Sequence, residues 1–205
     1  MYQNFIWDFD GTLFNTYPKM LEAYVKTMQH YQISITPSAI YRTLKTQSSK
    51  DLANQYQLDF EEFDQIYKQF EKSDTSNVFA YDDAKYILEK VIEKGGKNYL
   101  LTHRENASAK ALLQGSQLDG LFVEIVGPEN KFPRKPDPTS LLYLVEKYQM
   151  DKTKTVMIGD RPMDIDAGIN AGVQSIFYND ERLFKIKQAH HEVHSLTEIE
   201  KFLGE

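Results

Sequence analysis

The sequence predicts an α/β protein: a Rossmann-like parallel sheet with helices on both faces, plus a small all-helical cap inserted after the first strand. A short apolar run of strand type at residues 4–9 ends in Asp-Gly, which is a turn signal. The next segment shows only apolar repeats of helical spacing, and the remainder alternates strand-like with helix-like segments. Strands separated by helices are typical of a covered parallel sheet. We therefore predict a Rossmann-like core of residues 1–15 and 78–205 and a helical cap of residues 16–77.

Proline, serine and charge positions divide these domains into elements. In the cap, Pro18 and Pro37 mark two helix starts, Ser49 is predicted to cap a third helix, and a fourth is expected over residues 59–72. In the core, further helices are predicted over residues 82–94, 105–114, 139–148, 163–170 and 196–203, and further strands at NYLLTH, LFVEIVG, TVMIGD and VQSIFYN.

The composition is that of an ordinary folded protein, with 41% hydrophobic and 26% charged residues in a chain of 205. The net charge of -6 argues against a nucleic-acid or membrane-surface partner, because either would need a basic face. The chain has no cysteine, which fits a reducing compartment. No secretory signal is recognisable. No apolar segment is as long as a membrane-spanning helix, which needs about 20 residues. We expect a cytoplasmic protein.

Polar residues follow four of the predicted strands. Asp8 and Asp10 come after the first strand, Thr102 after the second, Lys135 in the loop after the third, and Asp160 after the fourth. An acid at a strand end is common for structural reasons such as helix capping. Four such groups at one rim of one sheet instead predict a ligand site, because ligands bind at the carboxyl ends of parallel strands.

The chemistry of these groups points to phosphoryl transfer with a metal ion. Crowded carboxylates repel one another unless a cation lies among them, and oxygen ligands favour a hard ion such as Mg²⁺. The ion would offset the repulsion between a carboxylate nucleophile and a phosphate. The Lys135 ammonium, the Thr102 hydroxyl and backbone N–H groups of the turn after Asp8 suit the stabilisation of charge on the phosphoryl oxygens.

Four motifs resemble those of the haloacid dehalogenase-like superfamily, in the same order and over nearly the whole chain. They are D-F-D-G-T-L-F at residues 8–14, Thr102 after an apolar strand, K-P-D-P at residues 135–138 and G-D-R-P-M-D at residues 159–164. The branch that contains phosphoglycolate phosphatase and β-phosphoglucomutase is the most similar. That branch inserts a helical cap between the first and second motifs, where residues 16–77 lie.

The resemblance implies Mg²⁺-dependent hydrolysis of a small phosphomonoester through an aspartyl-phosphate. Asp8 matches the nucleophile, and Asp10 matches the general acid and base. The Asp10 backbone carbonyl and the Asp8 and Asp160 carboxylates match the metal ligands. Thr102 matches the hydroxyl that binds the phosphoryl group, and Lys135 matches the lysine that neutralises its charge.

Other residues have less specific signals. Asp164 fits an outer role, orienting the metal's waters or Lys135. Where some mutase relatives have a second acid beside Asp160, this chain has Arg161. Residues 23–50 contain several cations and no acid, which indicates either a solvated basic face or a grip on the leaving group. The candidate substrate-binding residues are Thr12, His103, Arg104, Lys45 and Lys50, and pairing with an acid is the favoured alternative for Arg104. The histidines His190, His191 and His194 are interpreted as an exposed polar surface.

Several alternatives stay open. A sugar phosphomutase of the β-phosphoglucomutase type would use the same site. A haloacid dehalogenase is disfavoured because such relatives lack an acid at the Asp10 position. A phosphorylated receiver domain would be shorter and without a cap, and an idle binding protein would not need all these groups. We expect a small phosphorylated metabolite as partner and a monomer or weak homodimer; phosphoglycolate, a sugar phosphate and a nucleotide monophosphate all fit.

Overall fold

A computed structural model describes residues 1–72 and 78–204 of the protein. Its strands are β1 (Asn4–Trp7), β2 (Lys97–Leu101), β3 (Glu124–Val126), β4 (Thr155–Gly159), β5 (Gln174–Tyr178) and β6 (His191–Val193). They form one sheet in the order β3-β2-β1-β4-β5-β6, and all neighbouring strands are parallel. This confirms the predicted α/β class.

Eight α-helices accompany the strands within the described part of the chain. They are α1 (Tyr17–His30), α2 (Pro37–Thr46), α3 (Ser49–Gln55), α4 (Phe60–Lys72), α5 (Ala84–Glu93), α6 (Asn106–Gly115), α7 (Thr139–Lys147) and α8 (Pro162–Ala171). None of them is both long and apolar enough to cross a membrane.

Helices cover both faces of the sheet. On one face, Ile6 and Met157 of the sheet share a buried apolar cluster with Leu144 of α7 and with residues of α8. On the other face, the Trp7 indole N–H donates to Asn98 at 2.9 Å. The Asn98 amide in turn donates to the Leu88 carbonyl of α5 at 2.9 Å. Sheet residues therefore alternate between two buried layers, as the apolar strand patterns predict.

The chain forms two compact units, Met1–Phe14 with Phe79–Glu205, and Asn15–Val78. The second unit, called here the helical unit, contains α1 to α4 and has a buried cluster of its own. At its centre the Tyr24 ring stacks on Tyr67, with 4.0 Å between ring centroids. Residues 73–77 of the predicted cap and residue 205 of the predicted core lie outside the described residues.

Local signals explain most element boundaries, with two corrections. The cap of α3 is Ser48 and not Ser49, because the Ser48 hydroxyl accepts the Asp51 N–H at 3.1 Å. The terminal segment, predicted as an α-helix over residues 196–203, is a 3₁₀ helix, Leu196–Phe202. Apolar spacing alone does not separate these two helix types over two turns.

Strand β6 was not predicted, and the interpretation of the three histidines as exposed surface is wrong for two of them. His191 lies in β6 and is half-buried, with its ring 3.1 Å from the Tyr2 hydroxyl. His194 is also half-buried, and its Nδ1 lies 2.8 Å from the Asn179 carbonyl oxygen. His190 is exposed, but its Nδ1 accepts the Ser175 N–H at 3.2 Å. A polar three-residue strand has too little apolar content to be read from sequence.

Candidate active site

The turn after β1 places Asp8 at the carboxyl end of the sheet. The Asp8 N–H donates to the Ile158 carbonyl at 2.8 Å, which extends the ladder between β1 and β4. The chain then turns through Gly11, whose φ of 83° favours glycine. The amides of residues 12–14 all donate to the Phe9 carbonyl. Those three N–H groups therefore do not supply the ligand donors that the sequence suggested.

Lys135 lies in the loop between β3 and α7, and its ammonium is fully buried. The Nζ atom donates to Asp8 Oδ1 at 2.5 Å and to the Leu101 carbonyl at 3.1 Å, and it lies 2.6 Å from Asp164 Oδ1. An ammonium has three donors, so these three oxygens match its capacity. Burial lowers the pKa of Lys135, but the Asp164 and Asp8 carboxylates outweigh that effect and raise it above its ordinary value. The lysine is therefore a fixed positive charge beside Asp8.

The end of β4 and the first turn of α8 supply two more carboxylates. Asp160 follows Gly159 directly, and Asp164 Oδ2 accepts the Arg161 N–H at 3.1 Å. Only glycine fits at position 159, since a Cβ there would lie 2.3 Å from Asp164 Cβ. The Arg161 guanidinium lies beside Asp160, with 3.9 Å between Nε and Oδ1.

Asp8, Asp160 and Asp164 form a buried cluster whose ligand oxygens all lie within 4.8 Å of one another. Burial raises the pKa of Asp8 to about 7, the Asp164 carboxylate adds to this effect, and Lys135 and Arg161 oppose it. An all-oxygen donor set with an excess of negative charge suits a hard cation. The cluster can therefore hold a metal ion. Asp164 contacts Lys135, which agrees with one of the two outer roles predicted for it.

Two buried threonines were predicted as phosphate or substrate ligands. Thr102 follows β2 and is buried, and its Oγ1 accepts the Arg104 N–H at 3.0 Å. That bond uses a lone pair of the hydroxyl, so its proton remains available for another acceptor. Thr12, in the turn after β1, has its hydroxyl 3.5 Å from Asp8 Oδ2. The Thr12 hydroxyl thus lies where a group bound to Asp8 could meet it, and the contact of Thr102 with the phosphoryl group stays a prediction.

Asp10 is bound by Arg104 and not by Lys135. The Arg104 Nε and Nη2 atoms donate to Asp10 Oδ1 at 2.9 and 2.8 Å. The Arg104 Nη1 atom donates to Ser108 Oγ at 3.0 Å. Sequence analysis did not identify Ser108; its position four residues after Arg104, at the start of α6, is the only sequence signal for this contact.

His103 contacts the backbone of the lysine loop. Its Nε2 accepts the Lys135 N–H at 3.0 Å, so the ring must be neutral at that nitrogen. Burial, followed by the charges of Lys135 and Arg134, holds the pKa of His103 well below its ordinary value of 6.5. The histidine thus supports the loop that carries the ammonium.

The remaining two candidates lie in the helical unit. Lys45, near the end of α2, is buried, and its Nζ lies 4.7 Å from the centroid of the Tyr17 ring. Lys50, in the first turn of α3, is exposed. Their predicted contact with substrate stays a prediction.

The sheet and the buried cluster define a class of protein: a Rossmann-like enzyme core that gathers carboxylates and a lysine at the carboxyl ends of its strands. A family model described as haloacid dehalogenase-like hydrolase matches residues 5–178. The chain belongs to this family of hydrolytic enzymes. The resemblance carried by the four sequence motifs is thereby confirmed.

Curated relatives match most of the chain. A phosphoglycolate phosphatase of Psychrobacter arcticus is 26% identical over 189 residues, covering 85% of this chain and 82% of the relative. A protein of Caldanaerobacter subterraneus, provisionally named pyrophosphatase PpaX, is 26% identical over 173 residues, covering 83% of this chain and 79% of the relative. The chain therefore lies in the branch of the family that contains phosphoglycolate phosphatase.

Solved structures are similar as well. A hydrolase of Streptococcus pneumoniae is 32% identical, with a TM-score of 0.62, over 87% of this chain and 93% of that chain. A haloacid dehalogenase-like family protein from the same species is 16% identical, with a TM-score of 0.81, over 98% of both chains. At the lower identity, the likeness shows the fold alone.

Proposed function

We propose that this enzyme hydrolyses a small phosphomonoester with Mg²⁺, through an aspartyl-phosphate at Asp8. The observation that carries the proposal is the buried cluster in which Asp8 lies with Asp160, Asp164 and the Lys135 ammonium. A carboxylate attacks an anionic phosphate only where cations offset the repulsion between them. The relatives named phosphoglycolate phosphatase support a small phosphorylated metabolite as substrate.

The first half-reaction transfers the phosphoryl group to the protein. A carboxylate oxygen of Asp8 forms a bond to phosphorus while the bond from phosphorus to the leaving oxygen breaks. Asp10 gives a proton to that oxygen, and Lys135 and the Thr102 hydroxyl stabilise charge on the phosphoryl oxygens. When bound, Mg²⁺ neutralises charge and polarises the phosphoryl group. The Asp8 and Asp160 carboxylates and the Asp10 backbone carbonyl would hold it.

The second half-reaction returns Asp8 to its starting state. Asp10 accepts a proton from water as the water oxygen bonds to phosphorus, and the bond from phosphorus to Asp8 breaks. Inorganic phosphate then leaves. In the alternative, a phosphomutase, a sugar hydroxyl takes the place of this water. Steady phosphate release without a bisphosphate activator would argue against the mutase.

We further propose that the helical unit selects the leaving group, as the cap of the family branch does. Lys50 is the better candidate because it is exposed, whereas Lys45 packs on Tyr17. Lys50→Ala should raise KM for a substrate with an anionic leaving group and leave kcat nearly unchanged. An unchanged KM would remove Lys50 from this role.

A phosphate-release screen tests the proposed function. The panel contains phosphoglycolate, pyrophosphate, sugar phosphates and nucleoside monophosphates, each with MgCl₂ and with EDTA. We expect Mg²⁺-dependent release from at least one compound, and a loss of about 10³-fold or more in Asp8→Asn. Folded Asp8→Asn protein with wild-type activity would overturn the proposal.

A further inference from the structure

Arg104 and Asp10 form an ion pair across the carboxyl ends of two strands. Arg104 follows β2 and Asp10 follows β1, and the guanidinium donates two hydrogen bonds, of 2.9 and 2.8 Å. Both bonds reach the same carboxylate oxygen, Oδ1. The side chains are only 11% and 14% exposed, so water competes little for these bonds.

The guanidinium is itself held by neighbouring groups. Nη1 donates to Ser108 Oγ at 3.0 Å, and Cζ lies 5.7 Å from the centroid of the Phe9 ring. The backbone N–H of Arg104 donates to Thr102 Oγ1 at 3.0 Å. Because one residue is bound at its backbone and at its planar fork, the position of Arg104 is fixed before any ligand arrives.

The ion pair with Arg104 occupies only one of the two carboxylate oxygens of Asp10. Within residues 1–72 and 78–204, Asp10 Oδ2 accepts no hydrogen bond. A carboxylate with no partner would rotate about its last bond and exchange its two oxygens. Two donors on Oδ1 suppress that rotation, so the oxygen presented to a ligand is always Oδ2.

We propose that Arg104 is a positioning residue that fixes Asp10 with Oδ2 directed to the proton-transfer step. This inference rests on the proposed function of Asp10 as general acid and base. It assigns Arg104 a role toward Asp10 and not toward the substrate, because the guanidinium donates three hydrogen bonds to Asp10 and Ser108. A small misplacement of a catalytic group costs about 10²-fold in rate.

Two substrates with different leaving groups separate positioning from other roles. Phosphoglycolate loses an alkoxide, which needs a proton as it departs, whereas 4-nitrophenyl phosphate loses a weakly basic phenolate, which does not. Asp10 also serves the second half-reaction, which is the same for both substrates, so the comparison uses kcat/KM, which reports the steps up to loss of the leaving group. A defect in Asp10 should therefore lower kcat/KM much more for phosphoglycolate than for 4-nitrophenyl phosphate. Wild type, Asp8→Asn, Asp10→Asn, Arg104→Met and Arg104→Lys are compared on both substrates with MgCl₂. Lys110→Met, an exposed cation on the same helix as Ser108, is the matched control.

We expect Arg104→Met to lower kcat/KM for phosphoglycolate about 10²-fold, and kcat/KM for 4-nitrophenyl phosphate by about tenfold or less. KM should not rise for either substrate. Arg104→Lys should restore part of the loss, and Lys110→Met should resemble wild type. Asp10→Asn should show the same bias between substrates, and adding Arg104→Met to it should cause no further biased loss.

Equal losses of kcat/KM on both substrates, or a raised KM with unchanged kcat, would overturn the positioning role. If Arg104→Met fails to fold in a thermal melt, Arg104→Lys takes its place, and the ratio of its kcat/KM values for the two substrates is compared with that of wild type. The wild-type and Asp8→Asn rates separate the two ideas: Mg²⁺-dependent turnover that needs Asp8 supports the proposed function whatever Arg104 does. If the enzyme does not hydrolyse phosphoglycolate, an alkyl phosphate that it does hydrolyse in the screen replaces phosphoglycolate in this comparison.

Discussion

The Lys135 ammonium donates a 2.5 Å hydrogen bond to Asp8, yet the pKa of Asp8 is raised to about 7. Burial is the largest cause, and the Asp164 carboxylate adds to it. Lys135 and Arg161 act in the opposite direction and do not compensate. A buried carboxyl with a raised pKa beside other carboxylates is a setting that suits a divalent cation.

The first prediction concerns pH and stability in the absence of metal. Because the folded-state pKa of Asp8 lies above the ordinary value of 3.8, the folded state binds more protons than the unfolded state between these values. The free energy of unfolding should therefore fall as pH rises through this range. Asp8→Asn should lack this contribution.

Urea unfolding in EDTA measures the free energy of unfolding of wild type and of Asp8→Asn. Each protein is unfolded at about pH 5 and at about pH 8. The difference in free energy of unfolding, wild type minus variant, should decrease at the higher pH. A difference that increases would show that the pKa of Asp8 is not raised.

The second prediction concerns metal binding. Mg²⁺ should raise the melting temperature of wild type, since an ion that binds only the folded state adds about 2.7 kcal/mol at a concentration of 100 times Kd. Asp160→Asn should lose most of the shift, and the exposed-site control Asp119→Asn should keep it. Thermal melts with MgCl₂ and with EDTA measure this shift in melting temperature. If Mg²⁺ raises the melting temperature of Asp160→Asn as much as that of wild type, the ion binds elsewhere.

The third prediction concerns His103, whose Nε2 accepts the Lys135 N–H. Its folded-state pKa lies below the ordinary value of 6.5, so below that pH the folded state binds fewer protons than the unfolded state. The free energy of unfolding should therefore fall as pH is lowered below about 6.5. His103→Gln keeps an acceptor without the titration and should show a smaller decrease; an equal decrease would contradict this.

The fourth prediction concerns Gly159. A methyl group there would lie 2.3 Å from Asp164 Cβ, so Gly159→Ala should displace Asp164 and cost about 1–3 kcal/mol of stability, with lower activity. Gly115→Ala is the control, because no atom lies within 4 Å of its added Cβ. That variant should be neutral or slightly stabilised. Equal stability of the two variants in urea unfolding would contradict the close packing.

The fold could be predicted because each element has a local signal. Apolar runs that end in turn residues predict β1, β2, β4 and β5, and helical spacing predicts the helices between them. Strand β6 has no such signal, since it is short and polar and joins the sheet by pairing with β5. Whether this segment forms a strand depends on its pairing with β5, which the local sequence pattern does not reveal.

The site could be predicted in its members but only in part in its pairings. The carboxyl ends of parallel strands meet at one edge, so Asp8, Lys135 and Asp160 were expected to converge. Which cation binds which acid depends on side-chain geometry. Lys135 contacts Asp8 and Asp164, while Arg104 binds Asp10 across 94 positions of sequence. No spacing rule links residues so far apart.

Detection of the phosphorylated protein tests the central claim most directly. Wild type, Asp8→Asn and Asp10→Asn are mixed with substrate and MgCl₂, quenched in acid, and examined by intact-protein and peptide mass spectrometry. We expect wild type and Asp10→Asn to carry one phosphoryl group on the peptide that contains Asp8, more persistently in Asp10→Asn, and Asp8→Asn to carry none. Active wild-type enzyme with no phosphorylated species at any quench time, or with the phosphoryl group on another residue, would contradict the account.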